Sequence, residues 1–76
     1  MTAFTERVGV LLSYGFTIGQ RDPRINSNYP GQFMVVEPYE ESQLPTQDGR
    51  NGPWCVVGDN LSTLVCQGFE YLQSML

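Results

Sequence analysis

The stretch DNLSTLVCQGFEYLQSML, residues 59–76, carries the clearest structural signal in the chain. Its apolar residues recur at the spacing of one helix face: Leu61, Leu64, Val65, Gly68, Phe69, Leu72 and Leu76. Asp59 and Asn60 precede the first of them and are candidate N-caps, because their side-chain oxygens can accept from backbone N–H groups of a first turn. The pattern predicts a helix from Leu61 to Ser74. Gly68 falls on its apolar face, where a missing side chain lets the helix lie closer to a sheet.

A second helix is predicted near the start of the chain, from Ala3 to Tyr14. Its apolar residues also lie at helical spacing: Phe4, Val8, Leu11 and Leu12. Thr2 is a candidate N-cap, and Gly15 is a candidate for the left-handed residue that ends the helix. Glycine inside a helix costs about 1 kcal/mol relative to alanine, so we take Gly9 to mark a close packing contact.

Three short stretches between these helices have the composition of strands: Phe16–Gly19, Gln32–Glu37 and Trp54–Val57. The second contains FMVV, a continuous apolar run that indicates a central strand or one buried on both faces. With 76 residues the chain is long enough for one domain, residues 1–76. We therefore expect an α+β fold in the order α-β-β-β-α, with a three-stranded antiparallel sheet and both helices packed on one face.

Such an arrangement leaves the second face of the sheet without a helix. Apolar residues of the second and third strands would be exposed there, so this face needs a cover. Two alternatives could cover this face: the long connection between those strands, or a second copy of the chain in a homo-oligomer.

The charge balance argues against direct binding of nucleic acid. Eight acidic residues stand against four basic ones, all arginine, for a net charge of −4, whereas proteins that hold nucleic acid through its phosphates carry a basic surface. Double-stranded RNA-binding domains share the α-β-β-β-α order, but they rely on lysines at the start of the last helix. Here Asp59 and Asn60 occupy that position, so the likeness concerns only the fold.

The missing residue types also argue against catalysis. The chain has no histidine, which removes the commonest general base and a usual metal ligand, and no Ser–His or Cys–His nucleophile can be assembled. Glu37, Glu40 and Glu41 lack the alternating order of a calcium loop. We expect no enzyme activity, no metal and no cofactor.

Cellular location is predicted from the cysteines and from the first residues. Cys55 and Cys66 form no CxxC motif, and we expect them to be reduced, small buried apolar residues; a disulfide is the alternative. The stretch MTAFTERVGVLLSYGF is interrupted by Glu6 and Arg7, so we expect neither a signal peptide nor a membrane span. These features predict a cytoplasmic protein that does not bind membranes.

The segment QRDPRINSNYPG, residues 20–31, is the first candidate binding site. Pro23 and the asparagines and serine indicate a turn, but a turn does not require arginine, the side chain suited to bidentate pairing with carboxylate or phosphate. Two interpretations stay open. Arg21 or Arg24 pairs internally with a nearby acid (Asp22, Glu37 or Asp59), or both arginines bind an anion or a partner.

The connection EPYEESQLPTQDGRNGP, residues 37–53, is the second candidate. Tyr39, Leu44 and Trp54 are large apolar residues in or beside it, and its acidic residues include Glu37, Glu40 and Glu41. Apolar anchors surrounded by charge are typical of protein interfaces. Alternatively, Tyr39 and Leu44 fold back to cover the sheet.

Small size, acidity and the missing catalytic groups favour a non-enzymatic protein–protein interaction or adaptor module whose partner is another protein. A viral-type inhibitor is the first alternative; its acidic loop would block a basic nucleic-acid-binding protein. The second alternative is a domain that binds a small anionic ligand at the two arginines.

Overall fold

The computed structural model describes residues 3–24, 30–40 and 53–76. Two helices and three strands occupy this part of the chain, in the predicted order: α1 (Ala3–Ser13), β1 (Thr17–Gln20), β2 (Phe33–Val36), β3 (Cys55–Gly58) and α2 (Leu61–Met75). Each boundary lies within one residue of the predicted one.

The strands form an antiparallel sheet in the order β1-β2-β3. Val35 of β2 lies opposite Ile18 on one side and Val56 on the other. Met34, Val35 and Val36 are all buried. The continuous apolar run of β2 therefore belongs to the central strand, as predicted.

Both helices pack on one face of this sheet. They contact each other, and α1 also contacts β1 while α2 contacts β2 and β3. The main core lies between the helices and the sheet, and its buried members are Leu11, Phe16, Val35, Leu64, Val65 and Leu72. The predicted α+β architecture is thus confirmed.

The two helical glycines differ in their surroundings. A Cβ atom on Gly68 would lie 2.9 Å from Cγ1 of Val35, so this glycine does let α2 approach the sheet closely. A Cβ atom on Gly9 would meet no atom within 4 Å. The predicted packing contact at Gly9 is therefore wrong, because the outer face of α1 at this position points to solvent.

Local hydrogen bonds define one end of each helix. At the end of α1, Gly15 has a φ of 90°, its N–H donates to the carbonyl of Leu12, and the N–H of Phe16 donates to the carbonyl of Leu11. These two bonds form a Schellman motif, and the buried Leu11 and Phe16 supply its apolar contact. At the start of α2, Asn60 Oδ1 accepts from the N–H of Thr63 at 3.2 Å, which confirms the predicted cap.

Two apolar residues predicted near the helix ends are exposed in the structure. Leu12 and Leu76 are exposed rather than part of an apolar face, because Leu12 lies on the outer side of α1 and Leu76 follows the last turn of α2. Thr2, the predicted cap of α1, lies outside the described residues.

The face of the sheet away from the helices carries a second apolar cluster. Met34 and Val36 are buried there and pack with the partly buried Tyr39, Cys55 and Val57. Because this burial occurs within one copy of the chain, Met34 and Val36 do not supply the exposed apolar surface on which the homo-oligomer prediction depended.

No disulfide joins Cys55 and Cys66, and each is half-buried rather than buried as predicted. Cys66 lies on the side of α2 that faces Arg7 of α1, whose guanidinium is 3.5 Å from its sulfur. Neither helix of the described residues has the length and apolar content that crossing a membrane requires.

Candidate functional site

The carboxyl ends of the two helices lie on the same side of the molecule. Arg7, in the first half of α1, has its guanidinium 5.7 Å from the ring centroid of Phe69 in the middle of α2. Tyr14, directly after α1, lies instead beside Leu72 and Met75 in the last turns of α2. The helices therefore run in the same general direction and end together.

A cleft of about 290 Å³, which we call the terminal cleft, opens at these helix ends. Its lining consists of Tyr14, Phe16, Glu37, Pro38, Leu72 and Met75. Phe16 and Leu72 are buried and form its floor. Tyr14 is 51% exposed and Met75 is 60% exposed, so both stand at its mouth as apolar side chains in contact with water.

Backbone geometry at the end of α1 positions the first of these residues. The Schellman motif at Gly15 turns the chain so that Phe16 points into the core while Tyr14 stays outside. A Cβ atom on Gly15 would lie 3.2 Å from Cγ of Pro38. The left-handed glycine thus also allows Pro38 to approach and close one wall of the cleft.

Glu37 is the charged residue of the terminal cleft. Its half-buried carboxylate accepts two hydrogen bonds from neutral donors, one from the backbone N–H of Trp54 to Oε1 and one from the Tyr71 hydroxyl to Oε2, both at 2.7 Å. Among the described residues, no arginine forms an ion pair with it. Within the described part of the chain, the Glu37 carboxylate therefore has hydrogen bonds from neutral groups but no ion pair.

Tyr71 and Trp54 support this carboxylate from the protein side. Their rings stack with centroids 4.5 Å apart and an interplanar angle of 6°, and both pack against the main core. The hydrogen bond to Glu37, together with burial and the negative charge of Glu37, raises the pKa of Tyr71 to about 12. Tyr71 therefore remains a hydrogen-bond donor throughout the physiological pH range.

Neither Tyr71 nor the terminal cleft was anticipated from the sequence. Glu37 and Trp54 were predicted as site residues, but as members of one acidic and aromatic surface. The structure divides that predicted set between the two faces of the sheet: Glu37 and Trp54 lie on the helix side, and Tyr39 packs on the opposite side against Met34 and Val36. Glu40 is exposed. Glu41 and Leu44 lie outside the described residues.

The two predicted arginines have separate environments. Arg24 forms an ion pair with Asp22, with Nη2 2.7 Å from Oδ2 and Nε 3.1 Å from both carboxylate oxygens. The backbone N–H of Arg24 also donates to Asp22 Oδ1 at 2.9 Å, which closes an Asx turn. The internal ion pair, one of the two interpretations left open by the sequence, is therefore present.

Arg21 is half-buried, and its Nη1 donates to the carbonyl of Gly31 at 3.3 Å. It lines an open depression of about 500 Å³ together with Gln20, Pro23, Gly31 and Gln32. The Arg24 guanidinium pairs with Asp22, whereas that of Arg21 donates to Gly31. These contacts do not bring the two guanidinium groups together at one site. Anion binding at this pair stays a prediction.

Within residues 3–24, 30–40 and 53–76, no group of three or more cysteine, aspartate or glutamate side chains lies close enough together to hold a metal ion.

Comparison of the chain with protein-family models, with curated proteins and with solved structures found no match.

The terminal cleft has the most specific chemistry among the features of the described residues. It combines an apolar floor with a carboxylate that forms no ion pair with any described arginine.

Proposed function

We propose that this protein is a non-enzymatic interaction module that binds another protein through the terminal cleft. One observation carries the proposal: Tyr14 and Met75, both more than half exposed, stand at the mouth of a cleft whose floor is apolar. Tyrosine and methionine are enriched at protein interfaces because they supply large, adaptable contact area.

The size of the cleft favours a side chain of a partner over a free metabolite. Small-molecule sites usually enclose about 300–1,000 Å³ and bury most of their ligand, whereas this cleft of about 290 Å³ lies at the surface. A space of this kind suits one or two anchoring side chains, with Tyr14 and Met75 contacting the partner around them.

The chemistry of the lining supports binding without catalysis. Among the described residues that line the cleft, Glu37 is the one carboxylate, and no second acid or thiol accompanies it. Paired acids or a nucleophile with its base are what hydrolytic and transfer reactions require. The proposal includes a cytoplasmic location, a compartment that would keep Cys55 and Cys66 reduced.

A photo-crosslinking amino acid placed at position 14 tests this proposal in cells that produce the protein. We expect a discrete crosslinked adduct with one partner protein, and we expect Met75→Glu to abolish it by placing a charge at the mouth of the cleft.

Position 12 is the matched control, because Leu12 is 53% exposed but lies on another side of α1, outside the cleft. A crosslinker there should give no such adduct. Equal adducts from both positions, or none from position 14, would contradict the proposal.

No specific contact among the described residues supports the other predicted functions. The acidic inhibitor of a basic nucleic-acid-binding protein, the binding of a small anion and the formation of a homo-oligomer all stay predictions.

A further inference from the structure

We propose that the terminal cleft selects a partner segment in which one arginine side chain lies between apolar residues, and that Glu37 determines this specificity. This inference rests on the proposed function, since it names the chemistry of the segment that the cleft would bind.

The Glu37 carboxylate can accept more hydrogen bonds than it receives within the protein. Each of its oxygens accepts one hydrogen bond from a neutral group, but a carboxylate oxygen has two lone pairs. Each oxygen thus retains one acceptor site, which suits the two parallel N–H donors of a guanidinium. Because Glu37 is half-buried, its charge is screened by water less than that of an exposed carboxylate, and a cation beside it would be bound more strongly.

The carboxyl ends of both helices converge on the terminal cleft. The last turn of a helix carries a partial negative charge, about half an elementary charge, from carbonyl groups that have no intrahelical partner. Both α1 and α2 end at the terminal cleft, and neither has a basic residue in its last turn. Their partial charges add to that of Glu37, so the potential in the cleft is negative from three sources.

The rest of the cleft lining is largely apolar. Pro38 and Met75 are exposed and provide no strong hydrogen-bonding side chain, so a small inorganic cation or a purely polar ligand would leave them exposed to water. A basic side chain flanked by apolar residues satisfies both parts of the cleft. The exposed ring of Tyr14 adds a surface on which a guanidinium can stack.

Two blocked tripeptides provide the test, because they differ only in charge. N-acetyl-Leu-Arg-Leu-amide carries the guanidinium, and N-acetyl-Leu-citrulline-Leu-amide replaces it with a neutral group of nearly the same shape. Each is titrated into the ¹⁵N-labelled full chain, and the amide shifts of Tyr14, Phe16, Glu37, Leu72 and Met75 are followed.

We expect the arginine peptide to bind at these amides at least about threefold more tightly than the citrulline peptide, because the ion pair forms at a carboxylate withdrawn from bulk water. The preference should shrink as salt is raised. Equal affinity of the two peptides, or a tighter citrulline peptide, would overturn the inference, as would the absence of shifts with both.

The variant Glu37→Gln tests whether the preference for the arginine peptide over the citrulline peptide depends on this residue. The amide oxygen can still accept from the N–H of Trp54, and its NH₂ group can donate to the Tyr71 oxygen, so we expect the variant to fold. It should bind both peptides equally. Should it unfold, the comparison of the two peptides on the natural chain decides the inference alone.

The two proposals fail in different ways. If a partner is crosslinked from position 14 but the peptides bind equally, the interaction module stands and the arginine specificity falls. If position 14 gives no adduct, the interaction module falls even when the arginine peptide binds.

Discussion

The hydroxyl of Tyr71 donates a hydrogen bond to Oε2 of Glu37 across 2.7 Å and thereby joins α2 to the end of β2. The other oxygen of the same carboxylate accepts from the backbone N–H of Trp54, at the start of β3. One side chain thus connects three elements of the fold, and the stacked ring of Trp54 covers Tyr71. Glu37, which lines the terminal cleft, is therefore held by hydrogen bonds from two other elements.

Removal of the Tyr71 hydroxyl should weaken the fold. We expect Tyr71→Phe to lower the free energy of unfolding by about 1–2 kcal/mol, because a hydrogen bond to a charged group is lost while the ring packing is kept. Urea unfolding followed by Trp54 fluorescence measures the change. Tyr14→Phe, which removes an exposed hydroxyl, is the control and should stay within about 0.5 kcal/mol of the natural chain.

Tyr71 should also make stability depend on alkaline pH. Its pKa is about 12 in the folded protein and 10.0 for an ordinary tyrosine, so between these values the unfolded chain releases a proton that the folded chain keeps. The contribution of Tyr71 to stability is therefore complete below about pH 10 and is lost as the pH rises through about 12. Urea unfolding at several pH values from 9 upward measures this slope, which should be shallower in Tyr71→Phe. An identical slope in both proteins would contradict the assignment.

The two helical glycines should respond oppositely to the same substitution. Gly9→Ala should raise the free energy of unfolding by roughly 0.5–1 kcal/mol, because alanine favours a helix and the new methyl group meets no neighbour. Gly68→Ala should lower it by about 1 kcal/mol, since the methyl group would press on Val35, which is fully buried and cannot easily move. Thermal or urea unfolding of the two variants provides the comparison. Stabilisation by both would mean that α2 can shift away from the sheet at little cost.

The Asp22–Arg24 ion pair should be easier to detect in the pKa of Asp22 than in the free energy of unfolding. The side chain of Arg24 and then its backbone N–H hold the pKa of Asp22 at about 2, below its ordinary value of 3.8. The contribution of the ion pair to folding stability is therefore complete above about pH 4 and is lost as the pH falls through about 2. In Arg24→Gln, ¹³C NMR of the Asp22 carboxyl should show a higher pKa that still lies below 3.8, because the backbone bond remains. Arg7→Gln should leave it unchanged.

The fold was predictable because its main signals are local. The apolar spacing of α2 places Leu64, Val65 and Leu72 in the core, and the apolar run of β2 marks the central strand. Gly15 ends α1 through hydrogen bonds that span only a few residues. The prediction for Gly9 was wrong because spacing alone does not tell which side of a short helix meets another element.

The terminal cleft was not predictable in the same way, because its residues come from distant parts of the chain. Tyr14 and Met75 are brought together only when both helices pack on the sheet in the same direction. The link between Glu37 and Trp54 had a usable signal, since each directly adjoins one of two neighbouring antiparallel strands. Tyr71 lies at helical spacing from Leu64 and Gly68 and packs against the main core, but this spacing does not indicate which distant carboxylate its hydroxyl meets.

The register of β1 and β2 has a consequence for how the molecule meets a charged partner. Glu37 follows β2 at one end of the sheet, whereas Arg21 follows β1 at the other end, where its N–H donates to the carbonyl of Gln32. There the positive charges of Arg21 and Arg24 are offset by Asp22 and by Asp59, which accepts from the N–H of Gln32. At the Glu37 end, no arginine of the described residues forms an ion pair with the carboxylate, so the described charge there is negative. We expect a positively charged protein to be attracted to this end during its diffusive approach, so that association is faster at low ionic strength before any contact forms.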